Sequence, residues 1–177
     1  MRFRKTSESD IDAAYEVIEQ ARGRIASLGI DQWQNGSPNR ALLKGDVARG
    51  EAYVVEDDGA IAGNVMLTCA EEGCYNDIDG TGWLTDCKPG EPTYLVVHRF
   101  AVGDGALGKG VAKLMLSEAE DMARSLGKRS VRIDTHEGNI PMRTLLSKCG
   151  YSECGVVILD VEDREATLER IGYEKLV

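Results

Sequence analysis

Four glycines stand in the run Phe100-Ala-Val-Gly-Asp-Gly-Ala-Leu-Gly-Lys-Gly-Val-Ala112, between an apolar strand-like segment and a helix-like one. This pattern builds an anion cradle. Gly103, Gly105, Gly108 and Gly110 let the backbone turn sharply and approach a ligand, while the free N–H groups and positive dipole end of the following helix attract a phosphate. Of the only two histidines, His98 lies four residues before Val102, and His136 two after Asp134 and three before Asn139. An imidazole titrates near neutral pH and can take a proton from an ammonium, an effect worth about 10²- to 10⁴-fold in rate. Period-two alternation would put His98 on one strand face with Phe100 and Val102, and Asp134 with His136 on the next strand. There Asp134 would orient His136 or grip an amine. Each histidine equally fits a core imidazole bonded to backbone.

The phosphate ligand decides the function, and the glycine run has three readings. Gly103-Asp-Gly105-Ala-Leu-Gly108 spells G-x-G-x-x-G, with Asp134 near the place of a ribose-binding acid, which describes an NAD-type dinucleotide binder. Residues 135–177 leave room for about one helix and two strands, too little for the remaining parallel units. Gly103 to Lys109 nearly spells a P-loop, but Gly110 stands where a serine or threonine should hold magnesium, which argues against nucleotide hydrolysis. In the third frame, Leu107-Gly108-Lys109-Gly110-Val111-Ala112 resembles the [Q/R]-x-x-G-x-[G/A] loop of the GNAT family, the Gcn5-related N-acetyltransferases. Phe100 and Val102 match the strand before that loop, Ile133-x-Thr135-x-x-x-Asn139 the next strand and its terminal asparagine, and Cys149-Gly150-Tyr151 the Gly-Phe turn.

The resemblance implies an α/β, single-domain GNAT-like fold over residues 1–177: a mixed central sheet with splayed fourth and fifth strands, and helices on both faces. It implies acetyl-coenzyme A as co-substrate, held by Phe100, Ala101, Val102, Leu107, Gly108, Lys109, Gly110, Val111, Ala112 and Asn139. The Val102 amide becomes the candidate oxyanion donor, and His136, His98 and Asp134 the candidates for proton transfer or amine binding. Trp33, Gln32 and Asn35 are candidates for lining an acceptor pocket, although Trp33 equally suits a hydrophobic plug between helices. Three positions depart from the family pattern. Leu107 replaces a glutamine or arginine, Leu146 stands where many members carry a thiolate-protonating tyrosine, and Val96 occupies the usual place of a carboxylate base. The implied activity is acetyl transfer to a primary amine of a small molecule or peptide; the alternatives are a coenzyme A-binding regulator without turnover and the dinucleotide binder.

The elements that must position these residues follow from periodicity. A strand begins at Phe3, Ser7-Glu-Ser-Asp10 reads as a capping box, and apolar residues from Ile11 to Leu28 recur at helical spacing until Gly29. A turn-rich stretch, 31–38, precedes a second short helix over 39–49. Segments 52–56 and 61–67 form a hairpin around Asp57-Asp-Gly59. Residues 70–92 read as a long irregular loop, of a kind often functional. Strand 94–102, helix 110–126 and strand 129–135 form the cofactor unit; helix 139–148 and strands 156–159 and 171–176 complete the sheet.

Composition sets the limits. The chain has 177 residues, 42% of them apolar and 29% charged, enough for one domain with a sizeable core. A net charge of −9 disfavours nucleic acid and anionic membranes as partners and favours a cationic amine. It also opposes anionic coenzyme A, so helix-start and loop amides with Lys109 and Lys113 must reverse the field locally. Five cysteines without a C-x-x-C pair predict reduced thiols and no metal site. The absence of an apolar export segment near the start predicts a cytoplasmic protein. A homodimer through the terminal strands is the family-level expectation.

Overall fold

The computed structural model describes residues 1–159 and 167–177. Eight strands form one sheet: β1 (Arg2–Lys5), β2 (Ala52–Asp57), β3 (Ala60–Thr68), β4 (Ile78–Gly80), β5 (Tyr94–Val102), β6 (Ser130–Thr135), β7 (Ser152–Ile158) and β8 (Glu169–Leu176). Their order is β1-β2-β3-β5-β6-β8-β7-β4. The helices are α1 (Ile11–Ser27), α2 (Arg40–Arg49), α3 (Val111–Ser125) and α4 (Ile140–Lys148). Among the described strands, only β5 and β6 pair in parallel. A dinucleotide-binding half needs successive parallel units, so this topology removes the NAD-type reading.

Alternation along the strands divides the core between two helical layers. Val55, Val65, Leu95, Val97, Val131 and Ile133 pack with α3 residues such as Met115 and Ala119 on one face. Val54 and Ala101 turn the other way, toward Ile11, Ala14 and Ile18 of α1 and Leu43 of α2. Helices therefore cover both faces.

The 70–92 segment is more ordered than its composition predicts. It contains a helical turn at Gly73–Tyr75 and the edge strand β4, which pairs with β7. With β4 counted, the strands read fourth and fifth from sequence become β5 and β6. The edge pairing needs glycines: a Cβ on Gly155 would lie 2.3 Å from the Asp79 carbonyl oxygen. A three-residue strand with two glycine-dependent contacts carries no periodic apolar signal.

Pairing between β5 and β6 stops early. Tyr94–Val96 pair with Ser130–Arg132, and beyond Val96 the two strands run on without pairing each other. Each keeps its outer neighbour, β3 for β5 and β8 for β6, so a wedge opens inside an otherwise continuous sheet. This is the splay.

A bulge in β5 resets the alternation at that wedge. Asn64 opposes Ala101 and Met66 opposes His98, so Arg99 and Phe100 together face Val65. Arg99 adopts φ 50°, and Asn64 Nδ2 donates to its carbonyl at 2.9 Å. Before the bulge the odd residues Leu95 and Val97 face α3; after it the even residues Phe100 and Val102 do. The shared face predicted for His98, Phe100 and Val102 is thus corrected: His98 points to the opposite side.

Candidate functional site

The glycine loop presents an uncapped helix start. Gly108 and Gly110 have φ 74° and 88°, the left-handed region that disfavours other residues. No side chain caps Gly110, the residue before α3, and helix geometry leaves the first amides of α3 without intrahelical acceptors. A Cβ built on either glycine meets nothing within 4 Å, so the space beside the loop is open to a ligand. Val111, 1% exposed, anchors the helix start in the core. Leu107 is half exposed and offers no polar atom; Lys109 donates its amide to the Ala106 carbonyl and lines a separate groove beside the β2–β3 hairpin.

The inner edge of β5 continues from this loop into the wedge. The Gly103 amide donates to the Ala62 carbonyl, so alternation aims the Ala101 amide at β3 as well and the Val102 and Phe100 amides at the splay. Ala101 is therefore corrected as a ligand-binding amide: its backbone serves the ladder and its side chain the α1 core. The Val102 carbonyl is met by the Arg24 guanidinium, which also pairs with Asp104.

Behind the splay lies a cleft of about 750 Å³. Its wall includes Gln32, Trp33 and Asn35, the three residues predicted for an acceptor pocket, with His98, Phe100, Asp134 and Asn139. Trp33, at φ 68°, lines this cleft and also packs on the α1 core. Gln32 Oε1 receives Asn139 Nδ2 at 3.4 Å, while Asn139 Oδ1 caps α4 by accepting the Met142 amide at 3.3 Å. Asn35 Oδ1 accepts the Ser37 amide at 3.3 Å.

The two histidines differ. His98 Nε2 lies 2.9 Å from Glu72 Oε2, and both side chains line the cleft. This hydrogen bond holds the Glu72 carboxyl below the usual carboxylate range, against the opposing effect of burial. His136, one residue past β6, accepts the Gly138 amide at Nδ1 (3.0 Å), and its Nε2 stands 3.8 Å from Asp31. Its ring is absent from the cleft wall. Asp134 does not orient His136 as one sequence reading had it: its Oδ1 accepts the Tyr75 hydroxyl at 2.7 Å. Burial and the Asp134 charge both raise the Tyr75 pKa.

Glu72 and Tyr75 are functional candidates that sequence reasoning missed. Both come from the 70–92 segment, whose only sequence signal was a loop too long to be idle. Leu146 is fully buried in the α3-side core, so α4 presents an alkyl group at the position of the family's tyrosine.

A family model described as the acetyltransferase (GNAT) family matches residues 25–151. A GNAT-family acetyltransferase structure from Streptococcus agalactiae is 33% identical, with a TM-score of 0.86 over 99% of this chain and 95% of that one. The chain belongs to the GNAT acetyltransferase family. A GNAT acetyltransferase from Listeria monocytogenes (18% identity, TM-score 0.70, 99% and 94% coverage) shares the fold. So does a ribosomal-protein-alanine N-acetyltransferase from Brucella melitensis (16%, TM-score 0.64, full coverage of both). A search of curated protein sequences finds no match.

The site of this GNAT protein fits the arm and pyrophosphate of a coenzyme A thioester. The open, uncapped glycine cradle suits the anion, and the unpaired β5 edge supplies amides leading from it toward the cleft. The fit rests on backbone geometry, with no polar side chain at Leu107.

Proposed function

We propose that this GNAT protein is an N-acetyltransferase that moves acetyl from acetyl-coenzyme A to a primary amine of a small molecule or peptide. One observation carries the reading: the same unpaired strand edge joins an open anion cradle to a cleft that holds an imidazole and carboxylates. Bound acetyl-coenzyme A supplies the activated acyl group. The amides of Gly108, Gly110 and the first turn of α3 hold the pyrophosphate, and those of Phe100 and Val102 direct the arm, with Val102 aimed at the developing oxyanion. Asn139 fixes the α4 start and the Gln32 side of the cleft. Trp33, Gln32 and Asn35 shape the acceptor pocket, and Asp134 with Glu72 attracts the ammonium.

The Leu146 substitution favours one second reading, a coenzyme A-binding regulator without turnover. Calorimetric titration with acetyl-coenzyme A, paired with thiol release across an amine panel, separates the two. Binding with amine-dependent release is expected; binding without release on any amine would leave the regulator. None of the described helices is long and apolar enough to cross a membrane. The chain's net charge of −9 supports reading it as a cytoplasmic enzyme that acts without nucleic-acid or anionic-membrane partners, and the reading includes a homodimer.

A further inference from the structure

We propose that His98 and Glu72 form the proton-accepting unit for the acceptor amine, with His98 Nδ1 as the accepting atom and Glu72 as its positioning residue. The inference rests on the acetyl-transfer reading and assigns the chemistry of its cleft. A carboxylate oxygen 2.9 Å from Nε2 can only accept, so it fixes the proton on Nε2 and leaves the Nδ1 lone pair exposed. Nδ1 has no hydrogen-bond partner among the described residues. His136 is the reverse case, because the Gly138 amide already occupies its Nδ1.

Glu72 is itself held. Its carbonyl accepts the Tyr75 amide at 2.9 Å, its own amide reaches toward the Tyr94 hydroxyl, and Oε1 receives the Cys74 thiol at 3.6 Å. Alternation after Val97, before the bulge at Arg99, puts His98 on this face, and the 70–92 segment brings Glu72 to it.

The charges around the pair favour a cation. Arg99 donates to Asp46 at 2.6 and 2.7 Å, and Arg49 is shared between Asp46 and Glu51, so both guanidiniums of the cleft wall are already occupied by carboxylates. Glu72 and Asp134 make no ion pair with an arginine or lysine among the described residues. Arg170 also lines the cleft. The titratable and charged groups that line the cleft with His98 are thus Glu72, Cys74, Arg99, Glu51, Arg49, Asp134 and Arg170.

An ammonium proton passes to Nδ1, leaving a neutral amine and an imidazolium compensated by Glu72. The nitrogen lone pair then forms the N–C bond as the C–S bond breaks and sulfur leaves with the electron pair. The second nitrogen proton ends on sulfur, giving the thiol, and the imidazolium proton returns to solvent. Atoms and charge balance without a further reactant.

Two measurements test the pair. Long-range ¹H–¹⁵N spectra of ¹⁵N-histidine-labelled protein, assigned with His98→Gln, read the tautomer without any acceptor; Nε2–H at His98 is expected, weakened in Glu72→Gln. Turnover of acetyl-coenzyme A with primary amines, from ethanolamine to a lysine-containing peptide, gives the pH profile. His98→Gln should lower kcat by about 10²- to 10⁴-fold and abolish the rising limb. Glu72→Gln should lower it roughly tenfold to a hundredfold and move that limb to lower pH, with Glu72→Asp recovering part of both. Acetyl-coenzyme A affinity should stay unchanged in all three variants. An Nδ1–H tautomer in wild type, or wild-type rate and pH profile in folded Glu72→Gln, would overturn the pair while leaving acetyl transfer standing. Failure of wild type on every amine would overturn the acetyl-transfer reading itself.

Discussion

Gly110 combines a left-handed backbone with open space where a side chain would point. Aspartate tolerates that conformation better than most residues, so Gly110→Asp should fold at a cost of about 1 kcal/mol. Its carboxylate would then occupy the anion site. Calorimetry is expected to show no coenzyme A binding; undiminished affinity in the folded variant would remove the loop assignment. His136→Gln should leave turnover and its pH profile close to wild type, because the His136 ring is already engaged by the Gly138 amide and lies off the cleft wall. A lost pH limb in that variant would return the base to His136. The glycines were legible in sequence because their spacing itself encodes the loop. Glu72 was not, since it sits on an aperiodic segment, 26 residues from its partner on β5.

At the scale of elements, helix starts set both stability and site geometry. Asp10 accepts the Ser7 amide at 2.8 Å and pairs with Arg4, as the predicted capping box requires of its acid. The Arg4 hydrogen bond, aided by Ser7 and opposed by burial, holds the Asp10 carboxyl well below the usual carboxylate range. A depressed folded-state pKa gives stability that is present above the unfolded value, about 4, and is lost as pH falls toward the folded one. Asp10→Asn should therefore lower Tm by about 2–4 °C at pH 7, with the difference from wild type shrinking steadily below pH ~4. A gap independent of pH would contradict the pairing. Asn139→Ala should cost about 1 kcal/mol through the lost cap. It should also weaken acetyl-coenzyme A binding and, by freeing Gln32, alter the acceptor side. Caps and periodic helices were readable from sequence. The β5 bulge was not: Arg99 has no glycine-like signature, and its conformation is held from afar by Asn64 and Asp46.

Across the whole molecule, a buried polar knot ties the 70–92 segment to the sheet. Glu174, fully buried, accepts from the Leu84 and Thr85 amides, the Thr85 and Ser130 hydroxyls and Arg132 Nε. The Arg132 guanidinium is stacked between Trp83 and Tyr94, 4.3 and 4.0 Å from their ring centroids. Removing one partner leaves a buried charge uncompensated, so Glu174→Ala should destabilise by about 3–5 kcal/mol in urea unfolding. Because this knot carries the segment bearing Glu72, partial rescue should restore stability and turnover together. Fold class was legible because loop, helix and strand order survive in local pattern. The knot was not, since Glu174 reads as an ordinary polar residue of an alternating strand until the loop folds over it. The central claim, acetyl transfer from acetyl-coenzyme A to an amine in this cleft, is met most directly by mass spectrometry of products after incubation with acetyl-coenzyme A and a mixed primary-amine library. Acetylated amine with matching free thiol is expected, and neither should form with Gly110→Asp; bound coenzyme A with no acetylated product would contradict the account.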